Sequence, residues 1–443
     1  MQRRVVWANI MNGIALAKPS RQQLEWQDME VGLFVHFNIE TYAPEWESPQ
    51  SFEDLPDPDL FNPVKLNTDQ WMQAARAIGA KYAVLTTKHS AGFCLWPTEQ
   101  YEYSVKSSRW RDGKGDVVAE FVDSCRRHGI KPGFYCSYWT NAFMKVKEGR
   151  VASGRCEDQE RYNRVFLGML RELCTNYGEL VELWFDGGIP EWGPDIGPIL
   201  RELQPNAMVF QGGKYSTIRW IGNEEGVAPY PFWNAVPKDQ FPFFAAGLIS
   251  KAWTDGVGEA WLPGECDTTI REHCWFWRPN TENTIKPLDK LMAIYYKSVG
   301  RGCNLLLNSN PDRDGLIPEA DMKRYLEFGL EVKRRFSKPI AEGNYYDRDP
   351  TRIATVELIF GKPVKVDTFV TMEDLRNGQR VREYVIEAYL DGSYVDVVRG
   401  SSIGHKKIDE VDPIITDRVR IRILKAFATP VEIRSFSTYC CSS

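Results

Sequence analysis

With 443 residues, 43% of them hydrophobic and 26% charged, the chain has the composition of an ordinary soluble globular protein and room for one large domain plus a smaller one. A net charge of −5, without a basic stripe or zinc-finger spacing, argues against nucleic acid as a partner. No apolar run is long enough to span a bilayer, which argues against an integral membrane protein.

At the N-terminus, Arg3 and Arg4 precede a mildly apolar stretch that ends in Ala15-Leu16-Ala17, a pattern that imitates a secretory signal. Asn9 and Asn12 interrupt it, and no Asn-x-Ser/Thr sequon occurs, so a cytoplasmic chain is the favoured reading. From Trp26 to about Ser337, short apolar runs alternate with longer amphipathic ones. Strands are expected at 32–37, 82–87, 132–138, 181–186, 207–211, 219–222, 258–262 and 304–308. The first four have the continuous apolar character of strands buried on both faces. Helical patterns fall at 68–78, 117–128 and 161–176. In the second, Val118, Phe121, Val122 and Cys125 share one face, and Gly129 supplies a stop. About eight strands alternating with helices predict a TIM-type (β/α)8 barrel over residues 20–340. Beyond a last helix at 326–336 the texture turns to short alternating runs separated by turns such as Asp391-Gly392, which predicts a β-sandwich over residues 341–443. The 10 Cys are scattered with no CxxC; Cys94, Cys136 and Cys303 lie in apolar segments and read as buried free thiols.

A barrel places its reacting groups at the C-terminal ends of its strands. The first ends in His36, the second in Lys88-His89, the third near Tyr135 and Tyr138, and the fourth in Asp186. Glu224 follows the sixth, Glu265 the seventh, and Asn308 ends the eighth. Two carboxyl groups facing a sugar from opposite sides are the minimum for glycosidic cleavage, about 5–5.5 Å apart when configuration is retained. Asp186, in Leu183-Trp184-Phe185-Asp186-Gly187-Gly188, directly follows an apolar strand and is the expected nucleophile; the glycines would allow close approach of a substrate. Its plainer reading is a turn or cap aspartate. Glu224 and Glu265 compete as general acid, each beside Trp and Pro residues that would raise its pKa. His36 and His89 read as sugar-binding imidazoles rather than metal ligands, since no HExxH-like cluster accompanies them, although a satisfied core histidine is the alternative for each. The abundant aromatic side chains (15 Trp, 19 Tyr and 22 Phe) fit sugar faces and large cores alike.

Taken together and in order, Val31-Gly-Leu-Phe-Val-His-Phe37, the segment from Gly79 to His89, Gly92-Phe-Cys-Leu-Trp-Pro97, Leu183-Trp-Phe-Asp-Gly187, Arg219-Trp-Ile-Gly-Asn-Glu224 and the segment from Ser298 to Asn308 resemble glycoside hydrolase family 29, the α-L-fucosidases. The resemblance covers nearly the whole chain and implies a (β/α)8-like barrel followed by a β-sandwich. It implies Asp186 as nucleophile and Glu224, rather than Glu225, as acid/base, with Glu265 as the fallback. It also implies that His36, His89 and Arg219 hold fucose hydroxyls, that Tyr135 belongs to the binding site, and that Trp46, Trp184 or Trp275 flanks the C5 methyl edge. The Arg219–Gly226 stretch resembles the branch acting on α-1,3/1,4-linked fucose, including plant-type enzymes. A fucosylated glycan is then the partner, and no metal or organic cofactor is required. One departure stands out: Lys88-His89-Ser90-Ala91-Gly92-Phe93 replaces the family's Lys-His-His-Asp-Gly-Phe, so an imidazole and a carboxylate are missing. A barrel glycosidase for another sugar and a silent glycan-binding protein are the competing readings.

Overall fold

The computed structural model describes residues 16–241, 256–346, 349 and 354–442. The signal-like N-terminal stretch lies largely outside the described residues. Eight parallel strands form the barrel: β1 (Val31–Val35), β2 (Tyr82–Lys88), β3 (Lys131–Cys136), β4 (Glu182–Trp184), β5 (Met208–Phe210), β6 (Arg219–Trp220), β7 (Gly264–Thr268) and β8 (Asn304–Ser309). They are ordered β5-β4-β3-β2-β1-β8-β7-β6. A parallel bridge between Phe210 and Ile218 brings the two ends together. Every residue of β1 and β2 is buried, because helices cover the outer face while inward side chains fill the barrel. That is why these strands read as unbroken apolar runs.

The helix Val117–His128 begins and ends where its signals lie. The Asp116 carboxylate accepts from the Ala119 N–H at its start, and Gly129 adopts φ 68° at its end. Its apolar stripe of Val118, Phe121, Val122 and Cys125 is buried. One expected strand is displaced. Residues 260–261 pair with Ala235–Val236 in a separate two-stranded ribbon, and the seventh barrel strand is Gly264–Thr268 instead. Its inward positions carry Glu265 and Asp267, so it lacks the apolar signature by which the others were recognised.

The C-terminal sandwich is built from one antiparallel sheet of β9 (Ala341–Tyr345), β10 (Thr355–Glu373), β11 (Val381–Leu390), β12 (Ser393–Gly400), β13 (Lys407–Ala426) and β14 (Ile433–Tyr439), ordered β9-β14-β10-β13-β11-β12. Bulges interrupt the pairing of the two longest strands, β10 and β13, and let the sheet fold over its core of Val366, Phe369, Tyr384, Ile386, Ile421 and Phe436. Asp391-Gly392 makes the two-residue turn between β11 and β12 with φ 48° and 83°, the left-handed pair that such hairpins require.

Candidate active site

The C-terminal ends of the barrel strands open into a cavity of about 380 Å³, and seven of the residues singled out from the sequence line it: His36, His89, Tyr135, Trp184, Asp186, Glu224 and Trp275. Asp186 follows β4 into a turn whose Gly187 and Gly188 have φ 75° and 86°. A Cβ on Gly187 would lie 2.2 Å from the Trp139 ring, so this glycine is required by packing under the turn rather than by substrate approach. Asp186 itself is exposed to the cavity, and its Oδ2 accepts from the Tyr135 hydroxyl at 3.0 Å.

Glu224, in the loop after β6, accepts at Oε2 from Trp275 Nε1 at 3.1 Å. Burial holds its carboxyl above the ordinary range, and the nearby charges of Asp186 and Glu47 push the same way. His36 lies at the end of β1, where Nδ1 meets Asn308 Oδ1 at 2.7 Å. The Asn308 amide nitrogen donates to the Trp275 carbonyl at 2.9 Å, so its oxygen is the atom facing His36, and Nδ1 is the donor. Burial and the proximity of His89 hold His36 well below the usual histidine range. It is therefore a neutral imidazole whose Nε2 accepts. His89 stacks on Tyr135 with ring centroids 5.4 Å apart, and its Nδ1 lies 3.4 Å from Glu40 Oε1.

Three expected site residues lie elsewhere. Trp46 is buried in the main hydrophobic core, and the adjacent Glu47 faces the cavity instead. Arg219 sits on β6, where side chains alternate: Trp220 points inward to the cavity and Arg219 outward, donating from Nη2 to the Trp233 carbonyl at 2.8 Å and lying over the Phe232 ring. Glu265 occupies the second residue of β7, below the cavity floor, where its oxygens accept from Tyr82 and Trp184. Because the strand begins later than the apolar pattern indicated, Glu265 is one layer too deep to meet a substrate. Asp267, two residues on, reaches the cavity in its place. Its Oδ1 accepts from Trp220 Nε1 at 2.6 Å, and burial, with Glu224 adding repulsion, raises its carboxyl well above the usual range. The alternation that hides Arg219 also reveals Trp220, once the strand register is known. Gln211, immediately after β5, lines the cavity too, and the strand-end rule that found His36 would have found it.

The Ser90-Ala91 departure is accommodated in a specific way. Ser90 lines the cavity, while Ala91 is fully buried and its N–H donates to Glu40 Oε1 at 2.9 Å. Glu40 thus brings a carboxylate beside His89 and the backbone of residue 91. Among the described residues no group of three or more His, Cys, Asp or Glu side chains is placed to hold a metal ion.

Comparison with known proteins identifies the family. The α-L-fucosidase family model matches residues 15–334. Alpha-L-fucosidase 1 of Arabidopsis thaliana is 32% identical over 94% of this chain and 86% of its own length. A crystal structure of a candidate α-L-fucosidase from Bacteroides thetaiotaomicron VPI-5482 superimposes with a TM-score of 0.87 at 37% identity, covering 96% of this chain and 99% of that one. A glycoside hydrolase 29 family member from an unknown rumen bacterium gives a TM-score of 0.81 at 31% identity, over 97% of this chain and 78% of that one. With the two carboxylates and two histidines gathered at the mouth of this barrel, the chain belongs to the α-L-fucosidases of glycoside hydrolase family 29.

Proposed function

We propose that the protein is a retaining exo-α-L-fucosidase that removes terminal α-1,3/1,4-linked L-fucose by double displacement. The observation that carries this reading is the pairing of Asp186 and Glu224 in one cavity, each held by its own donor, the Tyr135 hydroxyl on Asp186 and the Trp275 indole N–H on Glu224. Asp186 is open to the cavity and held at one oxygen by the Tyr135 hydroxyl, which leaves Oδ1 to attack the anomeric carbon. Glu224 is shifted toward its protonated form by burial and by the charge of Asp186, as a general acid at neutral pH must be. In the first step Asp186 forms a bond to the anomeric carbon as Glu224 transfers its proton to the departing glycosidic oxygen. In the second, the Glu224 carboxylate takes a proton from water, the oxygen of that water replaces Asp186, and fucose leaves with its configuration retained. Neutral His36, together with His89, is assigned to ring hydroxyls, and Trp184 and Trp275 to the apolar edge of the sugar.

The linkage preference rests on the Trp220-Ile221-Gly222-Asn223-Glu224 stretch, through its resemblance to the α-1,3/1,4-acting branch. Incubation with an α-1,3/1,4-fucosylated Lewis-type oligosaccharide should release fucose whose first NMR-visible anomer is α, while an α-1,2-linked control stays intact. The Asp186→Ala enzyme should fold normally and lose activity by roughly three orders of magnitude or more. A first-formed β anomer would refute retention, and an active Asp186→Ala enzyme would refute the nucleophile. A second reading, the same chemistry on another sugar, draws on Ser90, which offers a hydroxyl where the resemblance implies an imidazole. A panel of nitrophenyl glycosides separates the two.

A further inference from the structure

Beneath the cavity floor the barrel holds two carboxyl groups that the proposed reaction does not touch. Glu182, the first residue of β4, and Glu265, the second of β7, are both 0% exposed. Neither has a Lys or Arg partner acting on it among the described residues. Two anions side by side in such a place are untenable, because neither water nor a counter-charge offsets their desolvation and repulsion. Burial accordingly raises both carboxyls.

Their hydrogen bonds are unequal, and the inequality locates the proton. Both oxygens of Glu265 accept: Oε1 from the Tyr82 hydroxyl at 2.6 Å and Oε2 from Trp184 Nε1 at 2.9 Å. Glu182 accepts only at Oε2, from Trp26 Nε1 at 3.1 Å, and its Oε1 is buried without a partner of its own. An acceptor oxygen left alone in an apolar interior is costly, whereas an O–H at that position donates to the neighbouring Glu265 and satisfies both groups.

We propose that Glu182 and Glu265 form a one-proton pair that positions the cavity floor: Glu182 keeps the proton, and Glu265, left as a pure acceptor, clamps the Trp184 indole. Glu265 is thereby a positioning residue that acts on the reaction through Trp184. The indole it holds lies flat on Phe210, centroids 3.7 Å apart at 7°, and stacks on Tyr135 at 5.7 Å and 23°. Tyr135 in turn donates to Asp186. A tilt of Trp184 therefore reaches the atom assigned to attack the sugar. This consequence rests on the reading of Asp186 as nucleophile.

The test compares two isosteric changes, measured by steady-state kinetics on nitrophenyl α-L-fucoside and by near-ultraviolet circular dichroism. Glu265→Gln leaves one acceptor oxygen for the Tyr82 hydroxyl, the Trp184 N–H and the Glu182 O–H. It should lower kcat roughly 10- to 100-fold, as a displaced reacting group does, with KM changed by less than about threefold. It should also alter the aromatic circular dichroism. Glu182→Gln substitutes an amide N–H for the acid O–H and should cost several-fold less in kcat than Glu265→Gln. Adding Tyr82→Phe to Glu265→Gln removes one competing donor and should recover part of the lost kcat. Equal losses in the two single variants, or a Glu265→Gln enzyme with native kcat and spectrum, would overturn the proposal. If Glu265→Gln does not fold, Trp184→Phe deletes the clamped donor together with part of the ring that lines the cavity, and an undiminished kcat there overturns the proposal as well. The circular dichroism reports the clamp even if Asp186 proves not to be the nucleophile, so the two failures are distinguishable.

Discussion

A proton donor must be protonated when the substrate binds, so the raised carboxyl of Glu224 has a visible consequence. Activity is present below its folded pKa and falls as pH rises through that value, which makes Glu224 the basic limb of the kcat/KM profile. Glu224→Gln should erase that limb and cost roughly two to three orders of magnitude on a natural glycan, but far less on a nitrophenyl fucoside, whose leaving group needs no proton. Asp267 is also raised and faces the same cavity. Asp267→Asn should keep the limb; its disappearance there would transfer the acid role to Asp267. Glu40 offers a second check. Its Oε1 accepts from the Ala91 N–H at 2.9 Å and faces His89 Nδ1 from 3.4 Å, so Glu40→Gln should raise KM by roughly three- to tenfold, the weight of one hydrogen bond, with a smaller change in kcat. An unaltered KM would show that His89 needs no carboxylate. At this scale the sequence was most readable where a polar residue directly ends an apolar strand, as with His36, His89 and Asp186. An aromatic or charged residue near a loop, such as Trp46 or Arg219, does not disclose in sequence which face of the backbone it leaves.

At the scale of elements, legibility follows what fills the barrel. Strands β1 and β2 carry apolar side chains on both faces and announce themselves. Strand β7 turns Glu265 and Asp267 inward, so its pattern is that of a polar loop, while the apolar segment just before it, which pairs in the separate ribbon, imitates a barrel strand. The residues that make the interior unusual are those that conceal its strand. Outside the barrel, polar positions on strands have a different use. Glu387 on β11 accepts from Arg420 Nε at 2.7 Å and Arg422 Nε at 2.6 Å, both on β13, and the Arg420 guanidinium lies over the Tyr394 ring of β12. The two cations hold Glu387 down to about 2. A carboxyl depressed in the folded state stabilises above its unfolded pKa, and that contribution disappears as pH falls through the folded value. Glu387→Gln should therefore lower stability by about 1 kcal/mol at neutral pH, after screening of the partly exposed arginines. The difference should close between about pH 4.3 and pH 2. Denaturant titrations at pH 7 and just below pH 2 decide it, and a gap that persists at the lower pH would assign the loss to packing.

The whole molecule joins its two parts through the segment that feeds the first barrel strand. Glu30, immediately before β1, meets Lys406 Nζ at 2.5 Å and His405 Nε2 at 3.3 Å, both from the turn that leads into β13. Next to it, Arg434 of β14 pairs with Asp28 at 2.8 Å. Val370, Ile408, Tyr439 and Cys441 of the C-terminal part belong to the same buried cluster as the barrel helices. The sandwich thus completes the barrel's apolar surface, and the two should unfold as one unit. Lys406 and His405 overcome the burial of Glu30 and hold its carboxyl at about 2. Its stabilising effect is accordingly full above about pH 4.3 and lost as pH falls toward 2. Glu30→Gln should cost up to about 3 kcal/mol at pH 7, and the melting temperatures of variant and parent should converge as the buffer is acidified. Calorimetry should show one transition in the parent at pH 7. If instead two transitions are resolved and Glu30→Gln moves only one, the domains are energetically independent and the contact at Glu30 merely orients them. If the single transition shifts as a whole, the sandwich is part of what keeps the strand ends, and with them His36 and Asp186, in register.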